Sequence, residues 1–320
     1  AGRASQDTPA KPTSDPIWGE VTFGSDGGCR SCLASAGFLL CPCIAASCPC
    51  CGVKVEPGPA RGWRRSLLSC SASLAAFQVA AFLGVALLQC NGIDTVMFTL
   101  TAHSLDEVGA KNAAKILHRG ESWRLFTPML LHSNWLHLAG DVLLQLRIGL
   151  TLEMTWGPVT WLIIYITSGA FASLASCVMM PNALGTGSSG ALCGIVGAWL
   201  PFILITWEQT LPHDRRARDA QLLLAVASIL GVVALGFLPS MDYSTHVAGL
   251  LAGMALSTTI FAYRIQTLSG SVLTRIIGLM ALAALASSTL WWFAFRTEPD
   301  PFLLGLSAAS ECRRASRGSA

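Results

Sequence analysis

Charged side chains are scarce in this sequence, and their scarcity excludes the soluble globular class. Asp, Glu, Lys and Arg make up 12% of the 320 residues, whereas hydrophobic residues make up 52%. A soluble domain carries about 25% charged residues. Because the mean hydropathy is also high, at +0.55, we predict an all-α polytopic membrane protein.

Two further absences narrow the function. The sequence has no dinucleotide-binding or phosphate-binding glycine loop, so we expect no cofactor. We also expect no metal and no nucleic acid partner. It also has no internal repeat, and Asp141 is the one carboxylate within the predicted spans. A transporter would need intramembrane carboxylates or broken helices in two corresponding halves. Transport is therefore the least favoured interpretation.

Apolar segments near the length that crosses a bilayer, about 20 residues, occur seven times. The predicted spans are residues 66–90, 127–150, 157–180, 189–207, 221–239, 244–263 and 271–295. Arginines before the first span, after the fourth and after the sixth predict a cytoplasmic N-terminus. Basic residues in the first outer loop oppose this orientation, although acidic residues are mixed among them. With a cytoplasmic N-terminus, the fourth and sixth spans both begin on the non-cytoplasmic side.

A serine between glycines opens the fourth span. In Gly187-Ser188-Ser189-Gly190, the first glycine allows a tight turn with close backbone approach. Ser189 then falls at a helix N-terminus, where free N–H groups and the positive end of the helix dipole stabilise a developing oxyanion. This position predicts that Ser189 is a nucleophile.

A histidine opens the sixth span, and spaced glycines follow both it and the serine. Gly190 and Gly194 lie in the fourth span, and Gly249 and Gly253 follow His246. Small residues at this spacing let membrane helices approach closely. Because a serine side chain is short, a histidine on a neighbouring helix reaches its hydroxyl at about 2.6–3.2 Å only when the backbones are close. The pattern therefore predicts a serine–histidine dyad.

The second span carries side chains that are unfavourable at membrane depth. They are His132, His137, Asp141 and Arg147. Ionisable residues in membrane segments indicate a functional site, and the alternative is that they line helix contacts or meet interfacial water. These two histidines, together with His246 of the sixth span and the serine motif, favour a functional site.

The N-terminal tail, residues 1–65, is predicted to be cytoplasmic, disordered over residues 1–20 and rich in cysteine beyond them. Seven of the twelve cysteines lie there, at Cys29, Cys32, Cys41, Cys43, Cys48, Cys50 and Cys51. Interleaved apolar residues favour the bilayer surface and S-acylation of the last five. A zinc site that uses Cys29-x-x-Cys32 is the alternative, although Cys-Pro-Cys spacing is tight for zinc and no histidine joins the group.

Several motifs in order resemble those of rhomboid intramembrane serine proteases. They are Trp123-Arg124, His132 with His137, Leu152-Glu153, Trp156-Gly157, Gly187-Ser188-Ser189-Gly190, and His246-Val247-Ala248-Gly249 with Gly253. The serine loop alone is weak evidence, since Gly-x-Ser-Gly occurs by chance. The ordered set, which spans residues 120–255, is specific.

The resemblance implies a bundle of six helices over residues 66–270. It also implies a seventh helix at 271–295, as in eukaryotic secretase-type members, and a short polar tail follows at 296–320. Ser189 would be the nucleophile and His246 the general base, with no aspartate required.

The resemblance also assigns roles around the dyad. His137 and the Ser189 N–H would hold the oxyanion, with Gly187 in the same region, and His132 and the spaced glycines would belong to the structural motif. Arg124 and Glu153 would brace the first loop, and a contact between these two side chains would leave neither charge unpaired.

Three positions depart from the family pattern. Asp141 stands where rhomboids usually carry an asparagine whose amide donates to the oxyanion; an ionised carboxylate would repel that charge, whereas a protonated one would still donate. Cys193 replaces a frequent aromatic residue that packs on the histidine, so His246 would be less firmly oriented. Thr245 replaces an alanine, with little expected effect. Loss of one oxyanion donor lowers the rate by about 10²–10³.

We therefore predict an intramembrane serine endopeptidase that cleaves the transmembrane helices of single-pass proteins near their outer end. Its partners would be those substrates and the lipid bilayer. The six-plus-one layout lacks the additional leading helix of mitochondrial relatives, which favours the plasma membrane or the secretory pathway. The alternative is a catalytically weak or inactive rhomboid-like protein that binds transmembrane clients, although such relatives commonly lack the serine or the histidine.

Overall fold

The computed structural model describes residues 69–88, 98–210, 215–235 and 242–305, together with the backbone of three short strands. Ser69–Thr206 and Ala225–Ala320 form one compact unit, and Ala1–Leu68 with Trp207–Leu224 form another. Every residue of the site described below belongs to the first of these units.

The three strands form an antiparallel sheet in the N-terminal tail. They are β1 (Thr13–Asp15), β2 (Gly19–Phe23) and β3 (Val53–Pro57), in the order β1-β2-β3. Disorder was predicted over residues 1–20, and β1 lies within that range; β2 and β3 are rich in β-branched residues, which favour strands. The cysteines predicted to be acylated, and the alternative zinc pair, lie outside the described residues.

Each of the seven predicted spans contains a helix. The helices are α1 (Cys70–Leu88), α2 (Ala102–Glu107), α3 (Ala113–Arg119), α4 (Trp135–Leu144), α5 (Leu150–Trp156), α6 (Pro158–Met179), α7 (Ser189–Ile205), α8 (Arg215–Leu235), α9 (Tyr243–Phe261) and α10 (Leu268–Arg296). Within the described part of the chain, α1, α6, α8, α9 and α10 are long and apolar enough to cross a membrane, and α7 is apolar but shorter. The polytopic membrane fold is therefore confirmed, and in the described residues it is all-α outside the three strands of the N-terminal tail.

The second span begins later than its hydropathy predicted. Thr127–Leu130 form a 3-10 turn in the loop, and the helix starts at Trp135. Asn134 caps this start, because its side chain accepts a hydrogen bond from the N–H of His137 at 2.9 Å. A π-helical turn, Gln145–Gly149, joins α4 to α5. The span therefore covers Trp135–Trp156 rather than 127–150, since capping sets a helix end and hydropathy alone does not.

The helices α7 and α9 form the most extensive helix pair of the bundle, and α6 packs against both. A Cβ atom at Gly249 would lie 2.1 Å from the carbonyl oxygen of Gly190, and one at Gly253 would lie 1.9 Å from that of Gly194. No side chain fits at these separations. The backbones of α7 and α9 therefore touch at the four glycines whose spacing predicted a close helix pair.

A buried ionic cluster holds the first loop, between α1 and α4. The carboxylate of Asp106, which is fully buried, accepts hydrogen bonds from Asn112 at 2.9 Å and from Arg124 at 3.2 Å, and pairs with the ammonium of Lys115. Arg124 also donates to the carbonyl of Ala110 at 2.9 Å. Because several partners share each charge, the loss of hydration is offset. These contacts tie Arg124 to Asp106 and Ala110 within the first loop.

Glu153 has a different partner from the one predicted. Its carboxylate oxygens accept hydrogen bonds from the N–H groups of Cys70 and Ser71, each at 2.8 Å, in the first turn of α1. Arg124 instead pairs with Asp106. The predicted Arg124–Glu153 contact is therefore wrong, because the unpaired N–H groups and positive dipole end of α1 satisfy the carboxylate. Glu153 fastens α5 to the start of α1.

The residues that follow α10 fold back onto the first loop. The side chain of Leu303 is buried against Ala114 of α3, and its carbonyl accepts a hydrogen bond from Asn112 at 2.9 Å. The carbonyl of Leu304 accepts a second bond, from Arg119 at 2.7 Å. This C-terminal segment therefore lies on the same side of the bundle as the first loop.

Replacing Leu303 with aspartate is expected to lower the free energy of unfolding by about 1–3 kcal/mol, because a carboxylate would then be buried without a partner. Thermal unfolding of the purified protein in detergent measures the change. Phe302→Asp is the matched control, since Phe302 is 71% exposed. Equal destabilisation by both substitutions would contradict the docking of this segment.

Candidate active site

Ser189 and His246 meet across the interface of α7 and α9. The Oγ atom of Ser189 lies 3.0 Å from Nε2 of His246. Ser189 is partly exposed, whereas His246 is buried, at 8% exposure. At this distance the hydroxyl donates a hydrogen bond to Nε2 when the ring proton is on Nδ1. The geometry suits transfer of the serine proton to the histidine.

The other ring nitrogen of His246 has no orienting carboxylate. Among the residues that the structure describes, none hydrogen-bonds with Nδ1, although this atom is buried. A triad would place an acid there to fix the tautomer. Among the described residues, the site therefore consists of a serine and a histidine in contact, and their action as a catalytic dyad stays a prediction.

Gly187 shapes the loop that enters α7. Its φ angle is +116°, a region that side chains rarely adopt, and a Cβ there would lie 2.6 Å from the ring of His137. Its N–H donates to the carbonyl of Pro128 at 2.9 Å. The assignment of Gly187 to the oxyanion site is corrected by this bond, since the N–H is already occupied. Gly187 instead lets His137 pack against the loop.

Two groups next to this loop suit an oxyanion. The N–H of Ser189 lies in the first turn of α7, where no carbonyl of the helix can accept it. The ring of His137, whose side chain is 27% exposed, packs against Gly187 two residues before Ser189. Both groups therefore remain candidates to stabilise negative charge on a substrate carbonyl.

Asp141 anchors the serine loop through its neighbour Ser188. Oδ2 of Asp141 accepts hydrogen bonds from the N–H and the hydroxyl of Ser188, each at 2.8 Å, and lies 3.1 Å from Nε2 of His132. Oδ2 is therefore an acceptor for Ser188, whereas the role of Nε2 of His132 depends on the tautomer of that ring. These contacts assign Oδ2 to the serine loop, and a role for Asp141 as an oxyanion donor stays a prediction.

No sequence pattern predicted the roles of Ser188 and His132, which both contact Asp141. Ser188 is fully buried, and its hydroxyl donates to Asp141 instead of capping α7. Thr245, which replaces an alanine of the family pattern, packs against Gly190. Cys193 is buried in α7, and its effect on the orientation of His246 stays a prediction.

The sequence of this chain is similar to those of known proteins. Residues 119–263 match the Rhomboid domain. The chain is 35% identical over 156 residues to RHOMBOID-like protein 7 of Arabidopsis thaliana, which covers 49% of this chain and 48% of that protein. The chain thus contains a Rhomboid domain. This domain contains both Ser189 and His246, and the protein is a multi-pass integral membrane protein.

Two relatives from Toxoplasma gondii bear the name of proteases. This rhomboid is 33% identical over 159 residues to Rhomboid-like protease 1, which covers 48% of this chain and 52% of that one. It is 31% identical over 198 residues to Rhomboid-like protease 5, which covers 60% of this chain and 21% of that one. The chain thus spans about half the length, or less, of these relatives. Rhomboids are a family of intramembrane proteases that act on transmembrane substrates.

Proposed function

We propose that this rhomboid is a serine endopeptidase that cleaves the transmembrane helices of single-pass proteins. The observation that carries the proposal is the 3.0 Å contact between Ser189 and His246. Both residues lie in the first turn of their helices, at one end of the bundle, so the scissile bond lies near one end of the substrate helix. With a cytoplasmic N-terminus, which we also propose, that end is the outer one.

The reaction would proceed by acyl transfer through a covalent intermediate. Oγ of Ser189 attacks the scissile carbonyl carbon while His246 takes the hydroxyl proton, and the oxyanion is held by the Ser189 N–H and His137. The C–N bond then breaks as His246 returns the proton to the leaving amine. Water, deprotonated by the same histidine, attacks the ester and frees Ser189. A substrate helix must first unwind locally, which favours small or helix-breaking residues near the cleaved bond.

The layout supports a secretase-type member in the plasma membrane or the secretory pathway. The seventh helix, α10, follows the rhomboid domain. The segment that follows α10 contacts the first loop. Seven crossings bring these two parts of the chain to the same side of the membrane, so the contact agrees with seven spans. The decisive test of the activity is the cleavage of a transmembrane reporter by the purified protein in liposomes, with the dyad residues replaced in turn.

A catalytically weak protein that binds transmembrane clients is the second candidate, and Asp141 is the observation that favours it. The carboxylate brings a charge of the same sign as the oxyanion to the neighbourhood of the dyad, and it does not replace the donor that the family's asparagine provides. Loss of one such donor lowers kcat by about 10²–10³. Slow cleavage, rather than none, is the expectation for this chain.

Replacing Asp141 with asparagine is expected to raise kcat, by up to about 10²-fold. The amide oxygen still accepts the hydrogen bond from Ser188, while the amide nitrogen provides a donor where the carboxylate offered none. Reporter cleavage measures the rate, and thermal unfolding shows whether the loop anchor survives. An unchanged rate in a stably folded variant would show that Asp141 does not limit the oxyanion step.

A further inference from the structure

A buried lysine in the first loop touches neither member of the dyad but contacts the elements that carry both. The side chain of Lys111 is 1% exposed. Its ammonium donates to Oγ of Ser176 at 2.8 Å, to the carbonyl of Met180 at 3.1 Å, and to the carbonyl of Ser176 at 3.5 Å. These groups lie at the C-terminal end of α6, where the helix dipole favours a cation.

The backbone of Lys111 is joined to the segment that leads to the nucleophile. Its N–H donates to the carbonyl of Gly185 at 2.8 Å, and the N–H of Gly185 donates back at 3.1 Å. A Cβ at Gly185 would lie 3.2 Å from the lysine side chain. This two-bond bridge is followed two residues later by the turn at Gly187, so it fixes the entry to the serine loop.

The side chain of Lys111 is linked to the helix that carries the base. The hydroxyl of Ser176, which accepts from the lysine, donates to Oδ2 of Asp242. Asp242 caps α9, because Oδ1 accepts from the hydroxyl of Ser244 at 2.5 Å and from the N–H of Thr245 at 3.1 Å. The contacts therefore run from the first loop, through the end of α6, to the first turn of α9.

The surroundings of Asp242 and of Lys111 also shift the pKa of each group. Burial alone would raise the pKa of Asp242, but the hydrogen bonds from Ser176, Ser244 and Thr245 and the nearby Lys111 lower it. Burial lowers the pKa of Lys111, an effect that the charge of Asp242 opposes. An ionised Asp242 is the stronger acceptor for the cap and for Ser176.

We propose that Lys111, Ser176 and Asp242 act as positioning residues that set the separation of Ser189 and His246. The backbone of Lys111 holds the entry to the serine loop, and its side chain holds the start of α9 through Ser176. This path of contacts fixes the starts of α7 and α9 relative to one another. None of the three touches the reacting atoms. The inference rests on the proposed serine protease activity and adds the residues that align its dyad.

Two substitutions break the path at different points. Lys111→Met removes the ammonium and keeps the apolar stem, whereas Ser176→Ala removes the linking hydroxyl and leaves both charges. Lys115→Met is the matched control, because Lys115 is a second buried lysine of the same loop whose ion pair is with Asp106, within that loop. Each purified variant is assayed with a transmembrane reporter in liposomes and with a fluorophosphonate probe, which reacts with an activated serine and needs no substrate binding.

Both path variants are expected to lower kcat by about 10- to 100-fold, since a small misplacement of reacting groups has effects of that size. KM for the reporter changes little, and labelling of Ser189 slows by a similar factor. Lys115→Met leaves both rates close to those of the wild type when corrected for folded protein. The double variant Lys111→Met/Ser176→Ala is no slower than the slower single variant, because the two residues lie on one path.

The result that would overturn the proposal is a loss of activity in Lys111→Met that matches the loss in Lys115→Met and follows thermal stability in both. If Lys111→Met does not fold, Ser176→Ala decides, and a wild-type kcat in that variant overturns the proposal. A wild-type protein that neither cleaves nor labels would instead overturn the proposed function, and this inference with it.

Discussion

Ser189→Ala and His246→Ala are each expected to abolish cleavage of a transmembrane reporter, with a loss of at least about 10⁴-fold in kcat. Ser189 provides the attacking oxygen, and His246, 3.0 Å away, is the base that removes its proton. Without the hydroxyl no acyl-enzyme forms. Without the imidazole the hydroxyl stays protonated and is a weak nucleophile. The release of the soluble fragment from reporter-containing liposomes measures both effects.

The control for this pair is Ser288→Ala. Ser288 lies in α10 and donates only within its own helix, to the carbonyls of Ala284 and Leu285, so its loss should leave kcat unchanged. The double variant Ser189→Ala/His246→Ala should be no slower than either single one, because the two groups act as a unit. Equal shedding by the wild type and both single variants would eliminate the protease interpretation.

Gly253→Ala is also expected to impair activity strongly, although residue 253 lies two turns of α9 beyond His246. The added methyl group would meet the carbonyl oxygen of Gly194 at 1.9 Å, so α7 and α9 must separate. Overpacking of this kind destabilises a fold by about 1–3 kcal/mol. The displacement also moves Ser189 away from His246, so we expect kcat to fall by about 10²-fold.

Gly84→Ala separates this packing effect from a general effect of replacing glycine. Gly84 lies in α1, and nothing lies within 4 Å of its missing Cβ atom, so alanine there should be neutral or slightly stabilising. Thermal unfolding and reporter cleavage are measured for both variants. A Gly253→Ala variant as stable and as active as Gly84→Ala would show that the α7–α9 contact is not as close as the structure has it.

The contact between Ser189 and His246 was predictable, as were the glycines around it, because each depends on a strong local signal. A glycine before a serine at a helix start indicates a candidate nucleophile, and small residues four apart indicate a close helix pair. The signals at Gly190 and Gly249 agree with one another, since these two residues touch. Hydropathy predicted the spans for the same reason, because a bilayer sets the length of the apolar run.

The partners of the charged residues were not predictable. Glu153 was paired with Arg124 on the grounds of charge alone, but a carboxylate is also satisfied by backbone N–H groups at a helix start. The sequence does not show which of the two lies nearer. Asp141 illustrates the same limit, since its position matches a donor of the family while its oxygen accepts from Ser188.

The path of contacts through Lys111 was not predictable from sequence patterns, for a different reason. Its members come from the first loop, the end of α6 and the residue before α9, and each has an ordinary local role. Asp242 carried a recognisable signal as a helix cap, but nothing local connects it with Ser176. Only the folded arrangement, in which the first loop meets the end of α6 and the start of α9, gives these residues a shared effect.

The docking of Pro301–Gly305 on the first loop has a consequence for topology. This segment and the nucleophile lie at one end of the bundle, so whichever compartment meets the chain after its seventh helix also receives the fragment that a cut at Ser189 would liberate. An epitope placed behind α10 would thus report, by its accessibility to antibody in unpermeabilised cells, the destination of the product.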